Sequence, residues 1–173
     1  MISLGCAKNL VDAEVMMGAL LKDGYEITND NAAADALIVN TCSFIDAAQE
    51  ESVDTILEST EFRKYTNSGQ ALIVSGCLSQ RYRKELPKLM PEVDAFMGID
   101  QVEQVSDIVR RAVDNRGSRL DQTEEKPDGD ETETTDLLPG APLIDIHSRP
   151  DYIPAFETPR WRLTPDHFAY VKI

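Results

Sequence analysis

Two aliphatic segments of this chain are almost identical, and each of them is followed by a cysteine. Residues 36–42 read ALIVNTC and residues 71–77 read ALIVSGC. A short, continuous aliphatic run is typical of a strand that is buried on both faces, as in a parallel sheet covered by helices. Segments with apolar residues at helical spacing lie between such runs, so strands and helices are predicted to alternate along residues 1–113.

The predicted fold class is therefore α/β, with a five-stranded parallel sheet that is flavodoxin-like and doubly wound, with helices on both faces. Asn9 is predicted to cap a first helix that runs to about Lys22, with Gly24 as the stop, and Ser43 is predicted to cap a second helix in a capping box with Asp46. The flavodoxin-like order places the second strand at one edge and the first strand beside the third. The five predicted strands are residues 2–5, 25–28, 36–40, 71–75 and 93–97.

Cys6, Cys42 and Cys77 are the three cysteines of the chain, and each lies within two residues of the end of a predicted strand. The carboxyl ends of parallel strands meet at one edge of the sheet, where ligands bind in this architecture, so the thiols are predicted to converge and hold a metal. The alternative is that they are small core residues, because cysteine is among the most buried residue types. That alternative does not account for three cysteines that all lie just beyond a strand.

The number of ligands bears on the choice of metal. Structural zinc normally has four protein ligands, and residues 1–113 contain no histidine to complete the set. An iron–sulfur cluster is also usually bound by four thiolates, so three cysteines on a cubane would leave one iron with an open coordination position. A small ligand or a substrate could bind at that position.

The net charge of −14 is unevenly distributed. Half of it comes from residues 121–136, and residues 114–138 are predicted to be an acidic disordered insert that cannot bury enough apolar surface to fold. Residues 139–166 contain six prolines and are predicted to be an extended linker, followed by residues 167–173 as the first strand of a truncated further domain. The acidic balance argues against strong binding of nucleic acid, which needs clustered lysine and arginine.

No apolar stretch of the sequence approaches the ~20 residues of a membrane-spanning helix, and the first residues do not resemble a signal peptide. A cytoplasmic protein without a membrane partner is predicted. In that reducing compartment, an odd set of cysteines is typical of a reactive or metal-binding site rather than of disulfides.

Three ordered motifs in the chain carry a resemblance to a known family. Residues 5–14 read GCAKNLVDAE, residues 40–45 read NTCSFI and residues 75–80 read SGCLSQ. Together they resemble the N-terminal domain of the radical S-adenosylmethionine methylthiotransferases. Residues 163–173, LTPDHFAYVKI, resemble the members of that family that modify an aspartate of a small-subunit ribosomal protein.

The resemblance implies that residues 1–113 are a cluster-binding domain in which Cys6, Cys42 and Cys77 bind an auxiliary 4Fe-4S cluster with an open iron site. A second 4Fe-4S cluster and S-adenosylmethionine would bind in a radical S-adenosylmethionine domain that this chain lacks, so the chain alone is expected to be inactive. The complete enzyme would add a methylthio group to the β-carbon of the aspartate.

The resemblance also implies two partners, the ribosomal protein as substrate and the chain's own radical domain. It places Asn9 and Asp12 near the cluster loops, although helix capping explains both residues without a cluster. Two other functions remain open at this point. The chain could be the N-terminal domain of a tRNA methylthiotransferase, or it could be a metal-free flavodoxin-like interaction module.

Overall fold

The computed structural model describes residues 1–124, 141–155 and 157–171. Five parallel strands form one sheet in the order β1-β2-β3-β4-β5, and helices connect them. The strands are β1 (Ile2–Ser3), β2 (Ala36–Thr41), β3 (Ala71–Gly76), β4 (Ala95–Met97) and β5 (Leu143–Asp145), and the helices are α1 (Ala7–Lys22), α2 (Asp46–Thr66), α3 (Cys77–Arg81), α4 (Leu86–Leu89) and α5 (Val105–Glu124).

The two aliphatic repeats form the centre of the sheet. Strands β2 and β3 pair in parallel along their whole length, from Ala36 opposite Ala71 to Thr41 opposite Gly76. Alternate side chains point to opposite faces of a strand, so Ile38 packs with α1 and α5 while Val39 packs with α2, α3 and α4. Helices therefore cover both faces, and the predicted α/β flavodoxin-like class with five parallel strands is confirmed.

The second and fifth strands were predicted in the wrong places. Residues 25–28 form no strand, and the Tyr25 hydroxyl instead donates to the Ser106 carbonyl oxygen, at 3.0 Å. The neighbouring β1 spans only two residues, so it offers these residues little to pair with. The fifth strand is Leu143–Asp145, which pairs with β4 at the other edge. The first strand does lie beside Ala36–Thr41, as predicted.

Neither predicted capping residue caps its helix. Helix α1 begins at Ala7 with Cys6 at the N-cap position, and α2 begins at Asp46 with Ile45 there, in both cases without a side-chain capping bond. Asn9 and Ser43 were therefore wrong as caps. The predicted stop at Gly24 is confirmed, because its backbone has a φ of 87° and its N–H donates to the Leu21 carbonyl oxygen just after α1 ends.

The boundary predicted between residues 113 and 114 falls inside a helix. Helix α5 continues through Glu124, so the first part of the predicted acidic insert is helical, and residues 125–138 lie outside the described residues. The predicted linker 139–166 contributes β5 to the sheet. Residues 167–171 form no strand, and residues 172–173 lie outside the described part of the chain.

A buried carboxylate shows why the end of α5 belongs to the domain. Asp94 is fully buried, and its carboxylate forms ion pairs with Arg63 of α2 and, at 2.9 Å, with Arg119 of α5. It also accepts the Leu72 N–H of β3, at 2.8 Å. A buried charge is costly unless it is paired and hydrogen-bonded, so Asp94 needs both helices in place.

None of the helices in the part of the chain that the structure describes has the length and hydropathy to cross a membrane.

Candidate functional site

The three cysteines lie at the carboxyl edge of the sheet. Cys6 lies in the loop between β1 and α1, Cys42 directly follows β2, and Cys77 directly follows β3 as the first residue of α3. None of the three forms a disulfide, and Cys6 is exposed, Cys42 is buried and Cys77 lies between these two extremes. Because β1, β2 and β3 are adjacent and parallel, the sheet brings together three loops that are far apart in the sequence.

Two glycines allow these loops to approach each other closely. Gly5 and Gly76 have φ angles of 91° and 94°, and each directly precedes a cysteine. A Cβ on Gly5 would lie 2.7 Å from the Cys42 Sγ atom. A Cβ on Gly76 would lie 2.6 Å from the Asn40 Oδ1 atom, which is buried without a hydrogen-bond partner. The first and third loops therefore pack against the second at positions where a larger residue has no room.

The Asn9 side chain connects all three cysteine loops. Its Nδ2 group donates to the carbonyl oxygens of Leu4, at 2.9 Å, and Thr41, at 2.7 Å. Its Oδ1 atom lies 3.7 Å from the Cys77 thiol, within hydrogen-bonding distance for sulfur. The Asn40 Nδ2 group donates a hydrogen bond to the Asn9 carbonyl oxygen, at 2.8 Å. Asn9 is almost fully buried, and its side chain links the three loops at this sheet edge instead of capping α1.

Replacing Asn9 with alanine is expected to lower the free energy of unfolding by about 1–3 kcal/mol, because the buried Thr41 carbonyl oxygen and the partly buried Leu4 carbonyl oxygen lose their donor. Urea unfolding followed by circular dichroism measures the effect. The matched control is Asn29→Ala, a change at an exposed position, which is expected to cost less than about 0.5 kcal/mol. Equal losses in the two variants would show that other contacts hold the three loops together.

Helices α2 and α3 hold the loop after Cys42. The Ser52 hydroxyl lies 3.0 Å from both the backbone nitrogen and the carbonyl oxygen of Cys42. Arg81 donates to the Ser43 carbonyl oxygen at 2.9 Å. The next two residues, Phe44 and Ile45, are exposed apolar side chains. Hydrogen bonds from Ser52 of α2 and Arg81 of α3 thus hold the backbone at Cys42 and Ser43. The loop becomes exposed to solvent at the next residue, Phe44.

The spacing of the thiols does not suit a single metal ion. In the described residues, the three sulfur atoms do not all lie within 4.8 Å of one another. A tetrahedral zinc ion, with Zn–S bonds of about 2.3 Å, needs its thiolates closer together than that. A cubane binds its thiolates through different irons, which places them further apart. The three thiols, with no histidine among them, therefore do not form a zinc site as they are placed in the described residues.

Asp100, His147 and Asp151 form a second group of potential metal ligands, within 4.8 Å of one another, that sequence analysis did not find. The Asp100 carboxylate already accepts the backbone N–H groups of Asp151, at 2.7 Å, and Tyr152, at 3.3 Å. It thereby anchors the segment after β5. No local sequence signal connects residues so far apart, because only the pairing of β5 with β4 brings them together.

A cavity of about 240 Å³ lies beside Cys6. Tyr170, from the C-terminal segment, lines it together with residues of the first cysteine loop and the start of α1. A larger cavity of about 720 Å³ lies around Tyr25–Thr28 and the start of β2, away from the cysteines. The smaller cavity is the one that adjoins the candidate site.

Comparison with known proteins supports the resemblance carried by the cysteine motifs. A family model described as "Uncharacterized protein family UPF0004" matches residues 1–98, which include all three cysteines and the strands that precede them. The chain belongs to this family.

Individual relatives of this UPF0004 chain carry more specific names. It is 44% identical over 176 residues to a "Ribosomal protein uS12 methylthiotransferase RimO" from Akkermansia muciniphila, covering 100% of this chain and 34% of the relative. It is 52% identical over 122 residues to a protein of the same name from Geobacter sulfurreducens, covering 70% of this chain and 26% of the relative. The chain therefore spans about a third or less of these relatives, and its similarity to the N-terminal domain of RimO is confirmed.

Proposed function

We propose that this chain is the domain of a methylthiotransferase that binds an auxiliary 4Fe-4S cluster, with Cys6, Cys42 and Cys77 as the ligands. The observation that carries the proposal is the arrangement of three cysteine thiols on adjacent loops at one sheet edge, connected by the side chain of Asn9. When bound by three thiolates, such a cluster has one iron without a protein ligand, which is available to a sulfur-containing group.

The residues around the thiols have separate roles in this proposal. Gly5 and Gly76 keep the loops close enough for three thiolates to share one cluster. Asn9 holds the loops in that arrangement before any metal binds, which lowers the entropy cost of binding. Cys6 occupies the N-cap position of the 16-residue α1, where the helix dipole favours negative charge such as that of a thiolate-bound cluster.

The complete enzyme needs a second domain in this proposal. A radical S-adenosylmethionine domain, with its own 4Fe-4S cluster and S-adenosylmethionine, would generate the radical that activates the substrate carbon. The chain matches 34% of the length of its relative from Akkermansia muciniphila, so the rest of that protein is long enough to contain such a domain. The chain alone is therefore expected to bind its cluster without catalysing transfer of a methylthio group.

The proposed substrate is an aspartate of a small-subunit ribosomal protein, modified at its β-carbon. The names of the two relatives, both uS12 methylthiotransferases, favour this substrate over tRNA. The net charge of −14 also disfavours strong binding of nucleic acid by this chain, because phosphate contacts require clustered lysine and arginine.

An activity assay tests which substrate is modified. It uses a protein that contains both this chain and a radical S-adenosylmethionine domain. Incubated anaerobically with S-adenosylmethionine, a reductant and a sulfur source, it is expected to add one methylthio group to the small-subunit ribosomal protein and to leave tRNA unmodified. Mass spectrometry of both substrates provides the readout. The Cys42→Ser variant of the same protein is expected to lose methylthio transfer while it still cleaves S-adenosylmethionine. Modified tRNA with unmodified ribosomal protein would contradict the proposal.

A further inference from the structure

The C-terminal segment 158–170, which we call the strap, crosses α1 in direct backbone contact. The Trp161 N–H donates to the Glu14 carbonyl oxygen at 2.8 Å. A Cβ on Gly18, one helical turn further along α1, would lie 2.6 Å from the backbone atoms of Pro159 and Arg160. The helix surface therefore has a glycine where the strap crosses it, and even a methyl group would collide with the strap.

A buried carboxylate fastens the strap to α1. The Glu14 side chain has no exposed surface, and its Oε2 atom accepts a bond from Arg160 Nε at 2.7 Å and pairs with the same guanidinium through Nη2. Its Oε1 atom accepts the backbone N–H groups of Leu163, at 2.6 Å, and Thr164, at 3.3 Å. Burying the charge of Glu14 would be strongly unfavourable if these partners were absent. The strap and Glu14 therefore stabilise each other.

The same guanidinium group connects this fastening to the candidate site. Arg160 Nη2 also donates to the Tyr170 carbonyl oxygen at 2.8 Å, and Tyr170 lines the cavity beside Cys6. The Tyr170 ring is in edge contact with Phe168, with centroids 5.7 Å apart. Glu14 and Arg160 thereby determine where Tyr170 lies, although neither residue lines the cavity.

We propose that the strap covers one side of the thiol edge, and that Glu14 and Arg160 are positioning residues that hold Tyr170 against the Cys6 cavity. Cys6 is exposed, so the strap restricts the side from which a molecule reaches it without closing access, while Cys42 is protected by burial. This inference goes beyond the proposed function, because the contacts that hold the strap need no bound cluster.

The test uses the reduced, metal-free protein and two variants that release the strap in different ways. Arg160→Ala removes the ion pair, and Gly18→Ala introduces a steric collision while raising the helix propensity of α1. Two matched controls leave the strap in place. Arg162→Ala removes an arginine of the strap that pairs with Asp166, and Gly117→Ala adds a methyl group to α5 where nothing lies within 4 Å.

The readouts are the rate at which a bulky maleimide modifies Cys6, located by peptide mapping, and amide hydrogen exchange at residues 161–164. Both strap variants are expected to increase the Cys6 rate about fivefold or more and to accelerate exchange at those amides, since local opening exposes both. The two controls are expected to remain within about twofold of the wild type.

Two results would overturn the proposal. One is an unchanged Cys6 rate in both strap variants while the amides of residues 161–164 exchange faster, because Tyr170 would then not restrict access. The other is an equal acceleration at Cys6, Cys42 and Cys77 in Gly18→Ala, which would indicate general unfolding. Neither result depends on iron, so a failure of the cluster proposal and a failure of the strap proposal are distinguishable.

Discussion

Anaerobic reconstitution with iron and sulfide is expected to give a brown protein with about four irons per chain, and Cys6→Ala is expected to reduce that number almost to zero. Three ligands are the whole protein donor set in this proposal, so the loss of one leaves too few to retain a cubane. Cys6 is exposed, and its replacement should leave the metal-free fold intact. Iron and sulfide analysis, together with the absorption spectrum in the visible range, measures the result.

Two further variants make the reconstitution experiment specific. Cys42→Ala is expected to lose the cluster as completely as Cys6→Ala, although Cys42 is buried and its loss also removes packing. Ser43→Ala changes the next residue of the same loop without removing a thiol, and it is expected to retain the cluster. A colourless wild type with equal stability in a triple Cys→Ser variant would support the metal-free interaction module instead.

Gly76→Ala is expected to lower the free energy of unfolding by more than about 3 kcal/mol, or to prevent folding. The Gly76 backbone, with a φ of 94° and a ψ of −159°, lies in a region essentially restricted to glycine, which accounts for about 1–3 kcal/mol of that loss. The remainder comes from a Cβ that would lie 2.8 Å from the Thr41 backbone nitrogen and closer still to its carbonyl oxygen. Both atoms belong to the interior strand β2, which has little room to move because helices cover both of its faces.

Gly24→Ala separates backbone strain from steric overlap. Gly24 has a similar φ of 87°, but a Cβ there would have nothing within 4 Å. Its replacement is expected to cost about 1–2 kcal/mol, which is the conformational cost alone. Urea unfolding of the two variants measures the difference. A loss in Gly76→Ala no larger than that in Gly24→Ala would mean that the third loop does not pack tightly against the second.

The central part of the fold could be predicted because its signals are local. The runs at 36–41 and 71–76 are long, aliphatic and uninterrupted, and the structure has strands at both. The edge strand Leu143–Asp145 has no such signal, since it is three residues long and is a strand because β4 pairs with it. Tyr25–Thr28 has the opposite character, with strand-forming residues but no pairing partner in the sheet.

The candidate site shows the same limit. The cysteines could be placed at one edge because each follows a strand, and their position depends only on the direction of the chain. The role of Asn9 could not be predicted, because an asparagine near a helix start is typical of a cap and its actual partner Thr41 is 32 residues away. Glu14 and Arg160, 146 residues apart, give no sequence pattern at all.

The distance along the chain between Glu14 and its partners has a consequence for the order of assembly. A protein is synthesised from its N-terminus, so the three cysteine loops are all available once residue 77 has emerged. Glu14 acquires Arg160, Leu163 and Thr164 only after many more residues have been made. In the strap proposal, nothing of the strap covers Cys6 during that interval, which defines a stage of biosynthesis at which iron and sulfide would have their least obstructed route to this thiol.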